Sequence, residues 1–353
     1  MENVERLVKQ TGEWLKGSGP DSDIVLSSRI RLARNIEGIT FPAHANHTDT
    51  RKSLELSLKA LSDLKELDNH TTFRMKDISS LDRQVLVERH LMSKEHSEKP
   101  ESRALFLTTD ERFSVMINEE DHMRMQLMKS GFALIDIWKE IDGIDTKLSG
   151  KIPYAFRYDL GYLTSCPTNT GTAMRSSCML HLPGLVMSGQ IKKILQIIAK
   201  LSFTARGFYG EGTEAIGNFF QISNQVCLGQ SEVEIIDNLN GLIRQIIDQE
   251  RSARDFMSSK DGVILEDRVY RALGILKSAR SISSKETLEL LSLLRLGLDL
   301  GLVENIPEDL VNVLFIIVQP AHLQKFEKRN LSSIERDKKR ANILRDRLKN
   351  TSK

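Results

Sequence analysis

Five arginines stand in four short segments whose other residues are mostly Gly, Ser, Thr and acids rather than the apolar stripe of a surface helix. They are Arg29 and Arg31 in SSRIRLARN (27–35), Arg124 in NEEDHMR (118–124), Arg175 in CPTNTGTAMR (166–175) and Arg206 in ARGFYGEGTE (205–214). A guanidinium grips two phosphate oxygens in a fixed plane, so the set has the makings of a phosphate clamp. The same segments carry Glu119, Glu120, Asp121, Glu211 and Glu214, carboxylates able to orient an acceptor and strip its proton. Phosphoryl transfer asks a protein for positioning and charge neutralisation, with little covalent work. Singly, each residue has a plainer reading. Arg31 or Arg34 could be a surface cation, NEED a solvated acidic turn, and Gly207, Gly210 and Gly212 a simple turn rather than hinges of a closing loop. Only two residues, however, separate NEED from Arg124, which lets a base and a clamp leave one segment.

In order and spacing the four segments resemble the signature of the phosphagen (guanidino) kinase family: a CPTN-x-GT run followed by R, with NEED upstream and RG-x-x-GE downstream. The resemblance covers Asp23 to Met257. Beyond it, RDKKRA (336–341) and a start without the family's helical N-terminal domain are similar to the bacterial protein-arginine kinase branch. What the resemblance implies can be given residue by residue. Around ATP it places Ser27, Ser28, Arg29, Ile30, Arg31, His90 of the VERHLMS run, and Arg124. It adds Arg175, Ser176, Ser177, Cys178 and Met179, then Arg206, Gly207, Phe208, Tyr209, Gly210 and Glu211. Glu120 and Glu211 would hold the acceptor guanidinium from two sides and remove its proton, with Glu119 reaching Mg²⁺ through water and Cys166 beside the guanidinium. Serines before a turn and a packed histidine are the plainer readings of Ser27, Ser28 and His90. RSSCM stands where relatives more often show RASVM, so Ser176 and Cys178 are expected to make the pocket wall more polar. Arg336, Asp337, Arg340 and Ala341 match the branch's phosphoarginine-sensing motif, whose plainer reading is an exposed helix with charge pairs.

The activity implied is transfer of the ATP γ-phosphoryl group, with Mg²⁺, to arginine side chains of proteins. A stress-response setting, a Clp-type protease, a small zinc-binding activator and a homodimer or higher oligomer built through the C-terminal domain are implied with it. A kinase of free arginine or another small guanidino metabolite is the enzymatic alternative, and a catalytically silent reader of phosphoarginine the non-enzymatic one. Only some twenty residues precede the first motif, so nothing obvious encloses a free amino acid, and an open site favours a side chain presented by a protein.

Elements must place these residues. A chain of 353 residues exceeds the usual single core, and two units are expected: 1–257, catalytic, and 258–353, helical, divided within SARDFMSSKDG (252–262) where Ser, Asp, Lys and Gly cluster. DIVLSSRIRLARN begins as a strand with Ile24 and Leu26 alternating against polar neighbours. RALFLTT and FSVMIN read as two further strands. Helical spacing marks 49–68, 123–141 and 185–201, then 263–280, 285–297, 307–318 and 332–348. Strands interleaved with helices, without a regular βαβ period, predict an α+β fold: an antiparallel sheet flanked by helices, followed by an all-α domain. Charged residues make up 28% of the chain and net +2 from 50 bases and 48 acids with no single-sign block, which gives no case for nucleic acid or membrane. Three cysteines without CxxC spacing and no apolar signal region point to a reducing, cytoplasmic setting.

Overall fold

The computed structural model describes residues 2–207 and 215–349, with side chains from Val4 onward. Phe208, Tyr209, Gly210 and Glu211, with Gly212 and Glu214, therefore lie outside the described residues.

Among the described residues ten strands are formed: β1 (Val25–Arg34), β2 (His70–Arg74), β3 (Ala104–Thr108), β4 (Phe113–Ile117), β5 (Met123–Ser130), β6 (Phe156–Arg157), β7 (Gly161–Tyr162), β8 (Met174–His181), β9 (Phe203–Gly207) and β10 (Phe219–Asn224). Eight build one sheet in the order β2-β3-β4-β5-β1-β8-β10-β9, and every pairing in it is antiparallel, while β6 and β7 form a separate hairpin. The α+β architecture predicted from the interleaved pattern is the one observed.

The period-two alternation of β1 sorts its side chains between two faces. Ile30 and Leu32 enter a core with Met123, Met125 and Leu127 of β5, Met174, Cys178 and Leu180 of β8, and Phe220 and Ile222 of β10. Helices Leu134–Ser149, His47–Ser62 and Ile191–Lys200 and the first half of Glu232–Ser278 close that core. On the opposite face, the margins are apolar: Leu105, Leu107, Met116, Met128, Met179 and Phe219 pack with the N-terminal segment and the C-terminal helices. Its centre keeps the arginines.

Three element assignments from sequence need correction. The stretch 123–141 is a strand, β5, before the helix Leu134–Ser149 begins. Met123, Met125, Leu127 and Met128 satisfy both periods locally, and pairing with β1 and β4 decides between them. The helix expected over 185–201 is two, Pro183–Met187 and Ile191–Lys200, parted at Gly189 with φ 74°. The segment 252–262 is no loop: one helix of 47 residues, Glu232–Ser278, runs through it, and only Asp261 (φ −125°, ψ 28°) departs from helical geometry. The helices after it are Ser284–Asp299, Glu308–Ile317 and Ser333–Lys349, with one more, Pro320–Glu327, that the apolar spacing does not predict.

Candidate active site

In the centre of the sheet Arg31 pairs across to Arg175 on β8 and to Gln126 on β5, with Arg29 one step along and Arg124 opposite Ala33. Cross-strand partners share a face, so Arg29, Arg31, Arg124 and Arg175 all project to the same side. Arg206 joins them two strands away, since it pairs with Gln221, which in turn pairs with Met179. Ser27, Ser177 and Met179 lie on this face as well.

Four guanidiniums so close cost electrostatic energy. Burial and then Arg124 bring Arg29 down to about 10. Burial, followed by Arg29, Arg124 and Arg175, holds Arg31 well below the ordinary arginine range, with Glu119 opposing. Among the described residues Arg29 and Arg31 have no ion pair with a carboxylate, and the buried Nε of Arg31 has no hydrogen-bond partner. Among the described residues Arg175 is steadied only by neutral oxygens, the Asn224 carbonyl and Asn169 Oδ1, both at 3.3 Å. Buried cations with no counter-charge are compensated by a bound polyanion, and a planar fork fits phosphate.

Glu119 is the exception. Its carboxylate takes two hydrogen bonds from Arg124, at 2.7 and 3.0 Å, and one from Ser93 Oγ at 2.5 Å. Burial alone would raise its pKa, but Arg124 and Ser93 outweigh that and bring it to about 2. Glu120, next in the turn, is exposed, with no carboxylate hydrogen bond or ion pair among the described residues. Partial burial and then Asp121 raise its pKa above the usual carboxylate value.

The turn is joined to the CPTN loop. Asp121 accepts from Asn35 Nδ2 and from the Ser165 backbone N–H, each at 2.7 Å, and Ser165 Oγ donates to the Glu120 carbonyl at 2.7 Å. Half-buried Cys166 thus follows directly on a residue bonded to Glu120, and its Sγ lies 3.0 Å from Thr168 Oγ1.

Sequence models of two families match the chain. The one described as ATP:guanido phosphotransferase, C-terminal catalytic domain, matches residues 53–253, and the one described as protein-arginine kinase McsB C-terminal domain matches 263–353. A protein-arginine kinase of Desulforamulus reducens is 46% identical over 343 residues, 96% of each chain. That of Bacillus subtilis is 45% identical over 337 residues, 95% of this chain and 93% of its own. The chain belongs to the protein-arginine kinase family. It is a phosphotransferase that uses ATP and a guanidino acceptor. Solved structures of guanidino kinases share the fold: a lombricine kinase with TM-score 0.60, 26% identity and coverage of 69% of this chain and 71% of that one. A duplicated taurocyamine kinase of Schistosoma mansoni with bound transition-state analogue components has TM-score 0.61, 25% identity and coverage of 78% and 41%.

Not every residue expected around the nucleotide of this kinase reaches the arginine face. Ser28, Ile30, Ser176 and Cys178 occupy the alternate positions and point into the opposite core. Ser28 Oγ donates to the Gly131 carbonyl at 2.8 Å and accepts from Ala133 N, and burial pushes the Cys178 thiol up to about 12. The expectation that Ser176 and Cys178 make the pocket wall more polar is therefore corrected, because strand parity puts them behind the wall. Gly207 pairs with Phe220 on that same rear register. His90, at φ 56°, lies edge-on to Trp14 at 5.6 Å and faces a small cleft with Ser27, Arg29 and Met179. Burial and then Arg29 lower its pKa to about 3, so it is neutral.

Sequence reading misses Ser93, Trp14, Gln126 and Asn224. Ser93 caps the helix Lys94–Glu98, a local signal in SKEHSE that says nothing of Glu119. Asn224 Oδ1 accepts from Ser176 N at 2.8 Å, and no spacing rule foretells that.

At the far end, Arg340 is 1% exposed and donates to the carbonyls of Val318 and Ile282 and to Asp337 at 3.0, 2.9 and 2.6 Å. Ala341 is fully buried. Arg336 is half-buried and donates to the Leu331 carbonyl at 2.9 Å. Neutralising Arg340 is thus not structurally silent, as a reading of RDKKRA as exposed would have it. Arg340→Ala should lower unfolding free energy by roughly 3 kcal/mol, since it strands two buried carbonyls. Urea unfolding followed by circular dichroism checks this, and an unshifted midpoint would show that these contacts carry no weight.

Proposed function

We propose that Arg29, Arg31, Arg124, Arg175 and Arg206 hold the ATP phosphates, and that Glu120, with Glu211 from 208–214, orients and deprotonates the guanidinium of an arginine in a protein. The observation that carries this is the facing pair Arg31 and Arg175, flanked by Arg29 and Arg124, beside a free carboxylate at Glu120. The clamp matches charge on the moving phosphoryl group, and Glu120 takes the proton as the guanidino nitrogen attacks. Cys166 adds negative charge beside the guanidinium when ionised.

Among the described residues no three His, Cys, Asp or Glu side chains come together as a metal site. Mg²⁺ carried in on the nucleotide keeps its waters and needs few protein ligands. Glu119, held ionised by Arg124 and Ser93, is the residue to meet it through water.

The protein-acceptor reading rests on the relatives' name and on the match to their C-terminal domain. Incubation with labelled ATP, Mg²⁺ and an arginine-rich protein tests it. An acid-labile protein label is the expected result, labelled free arginine would favour a metabolite kinase, and no transfer would leave a silent reader. A catalytic unit over 1–257 and a helical unit over 258–353 that dimerises and senses phosphoarginine, a small zinc-binding activator, delivery of marked proteins to a Clp-type protease under stress, and a cytoplasmic location belong to the same proposal. No helix among the described residues is long and apolar enough to cross a membrane.

Cys166→Ser is expected to reduce turnover less than loss of Glu120, because the sulfur assists without forming a bond to phosphorus. A thiol-blocking reagent should still inhibit, by filling the acceptor pocket. Full activity after stoichiometric labelling of Cys166 would remove it from the site.

A further inference from the structure

The hairpin β6–β7 carries a short aromatic ladder. Tyr162 packs edge-on against Tyr154 at 6.1 Å and Phe156 at 5.2 Å, and Phe156 against Tyr158 at 5.8 Å. Its inner end is anchored by Arg34, whose guanidinium lies 3.5 Å from the Tyr162 ring centroid and is ion-paired with Asp145 at 2.6 Å. The outer end is open to solvent, with Phe156 48% exposed and Tyr158 fully so. Arg157 and Asp159 pair at 2.6 Å and cancel each other's charge, so the tip presents aromatic surface with no net charge.

The hairpin and the acceptor loop form one unit. Tyr162 N donates to the Gly171 carbonyl at 2.8 Å, and a Cβ on Gly161 would come within 2.4 Å of that same oxygen. On the other side Leu163 N bonds Ala155 O at 2.9 Å, and two residues later Ser165 is bonded to Glu120 and Asp121. CPTNTG is thus held at Gly171 by the hairpin and, just before Cys166, by the Glu120–Asp121 turn, and the hairpin's aromatic tip faces water.

We propose that Phe156 and Tyr158 are the surface on which the polypeptide flanking the acceptor arginine rests, which makes them specificity-determining for a protein substrate. The occupant is argued from continuity: any chain that presents its arginine to Glu120 and Cys166 continues past the unit to which the hairpin is fused. An aromatic tip takes apolar side chains by burying their surface. The acceptor chemistry selected is an arginine with apolar neighbours in an extended, accessible segment. This inference deepens the protein-acceptor reading and rests on it.

The test compares full-length enzyme with the double variant F156S/Y158S, both changes being at exposed side chains. Acceptors are two peptides identical but for the residues around a single arginine, leucine and phenylalanine in one and glycine and serine in the other, together with N-acetylarginine amide. The expected result is a preference of about tenfold in kcat/KM for the apolar-flanked peptide, the size that burying part of one side chain yields. In the double variant it should fall to near unity while turnover of the small acceptor and the KM for ATP stay unchanged. An equal preference in both enzymes, or none in the native one, overturns the proposal. Loss of self-association in sedimentation with peptide preference intact also overturns it, since the tip would then contact a second copy. A native enzyme that phosphorylates N-acetylarginine amide but neither peptide overturns the protein-acceptor reading itself, which sets that failure apart.

Discussion

Arg175→Ala is expected to lower turnover by about 10³, the scale on which a transition-state arginine contributes to phosphoryl transfer. Its partners, the Asn224 carbonyl and Asn169 Oδ1, fix the guanidinium without neutralising it. The full charge is therefore available to the equatorial oxygens as the phosphoryl group leaves ADP, when the charge to be matched is greatest. KM for ATP should change much less than kcat, because in the proposed arrangement Arg29, Arg31 and Arg124 would still hold the ground-state phosphates. Steady-state kinetics at varied ATP check this, and an unchanged turnover with only weaker ATP binding would place Arg175 on the binding side alone.

Glu120→Ala should reduce turnover by roughly 10² or more, the usual contribution of a positioned general base, with ADP affinity by calorimetry close to that of the native protein. In the proposed site the carboxylate faces the acceptor, and it makes no bond to the clamp among the described residues. Its raised pKa sets the pH dependence. The base works only when ionised, so activity should be full above that pKa and fall as pH drops through it, an acid limb lying above the ordinary glutamate range. Glu120→Gln should abolish that limb along with most of the rate. Collapse of nucleotide affinity together with activity would mean that Glu120 lies on the phosphate side.

Parts of this site are legible in the amino-acid sequence alone. Arg29 and Arg31 share a face because they are two apart in an alternating strand, and Ile30 and Leu32 must then face away. By the same parity Ser28 faces the core, although the motif that carries it spans both faces. The match of NEED and CPTN to a guanidino kinase is legible too, because motif order survives without knowledge of contacts. The local structure of 252–262 illustrates the opposite case: polar and small residues cluster there, yet apolar contacts on either side, such as Ala253 and Leu265, let one helix continue.

What the sequence determined by itself was therefore the chemistry on offer: which cations, which carboxylates, and which alternate along a strand. Tertiary structure decided which of them meet. Arg31 lies opposite Arg175 across 144 positions of chain only because β1 pairs with β8 in one register, and a one-residue slip would turn that arginine into the core. Arg34 and Arg340, ordinary cations in the sequence, are buried because Asp145 in one case and two backbone carbonyls in the other wait for them. Burial of a charge depends on partners brought from remote segments, and local spacing carries no record of them.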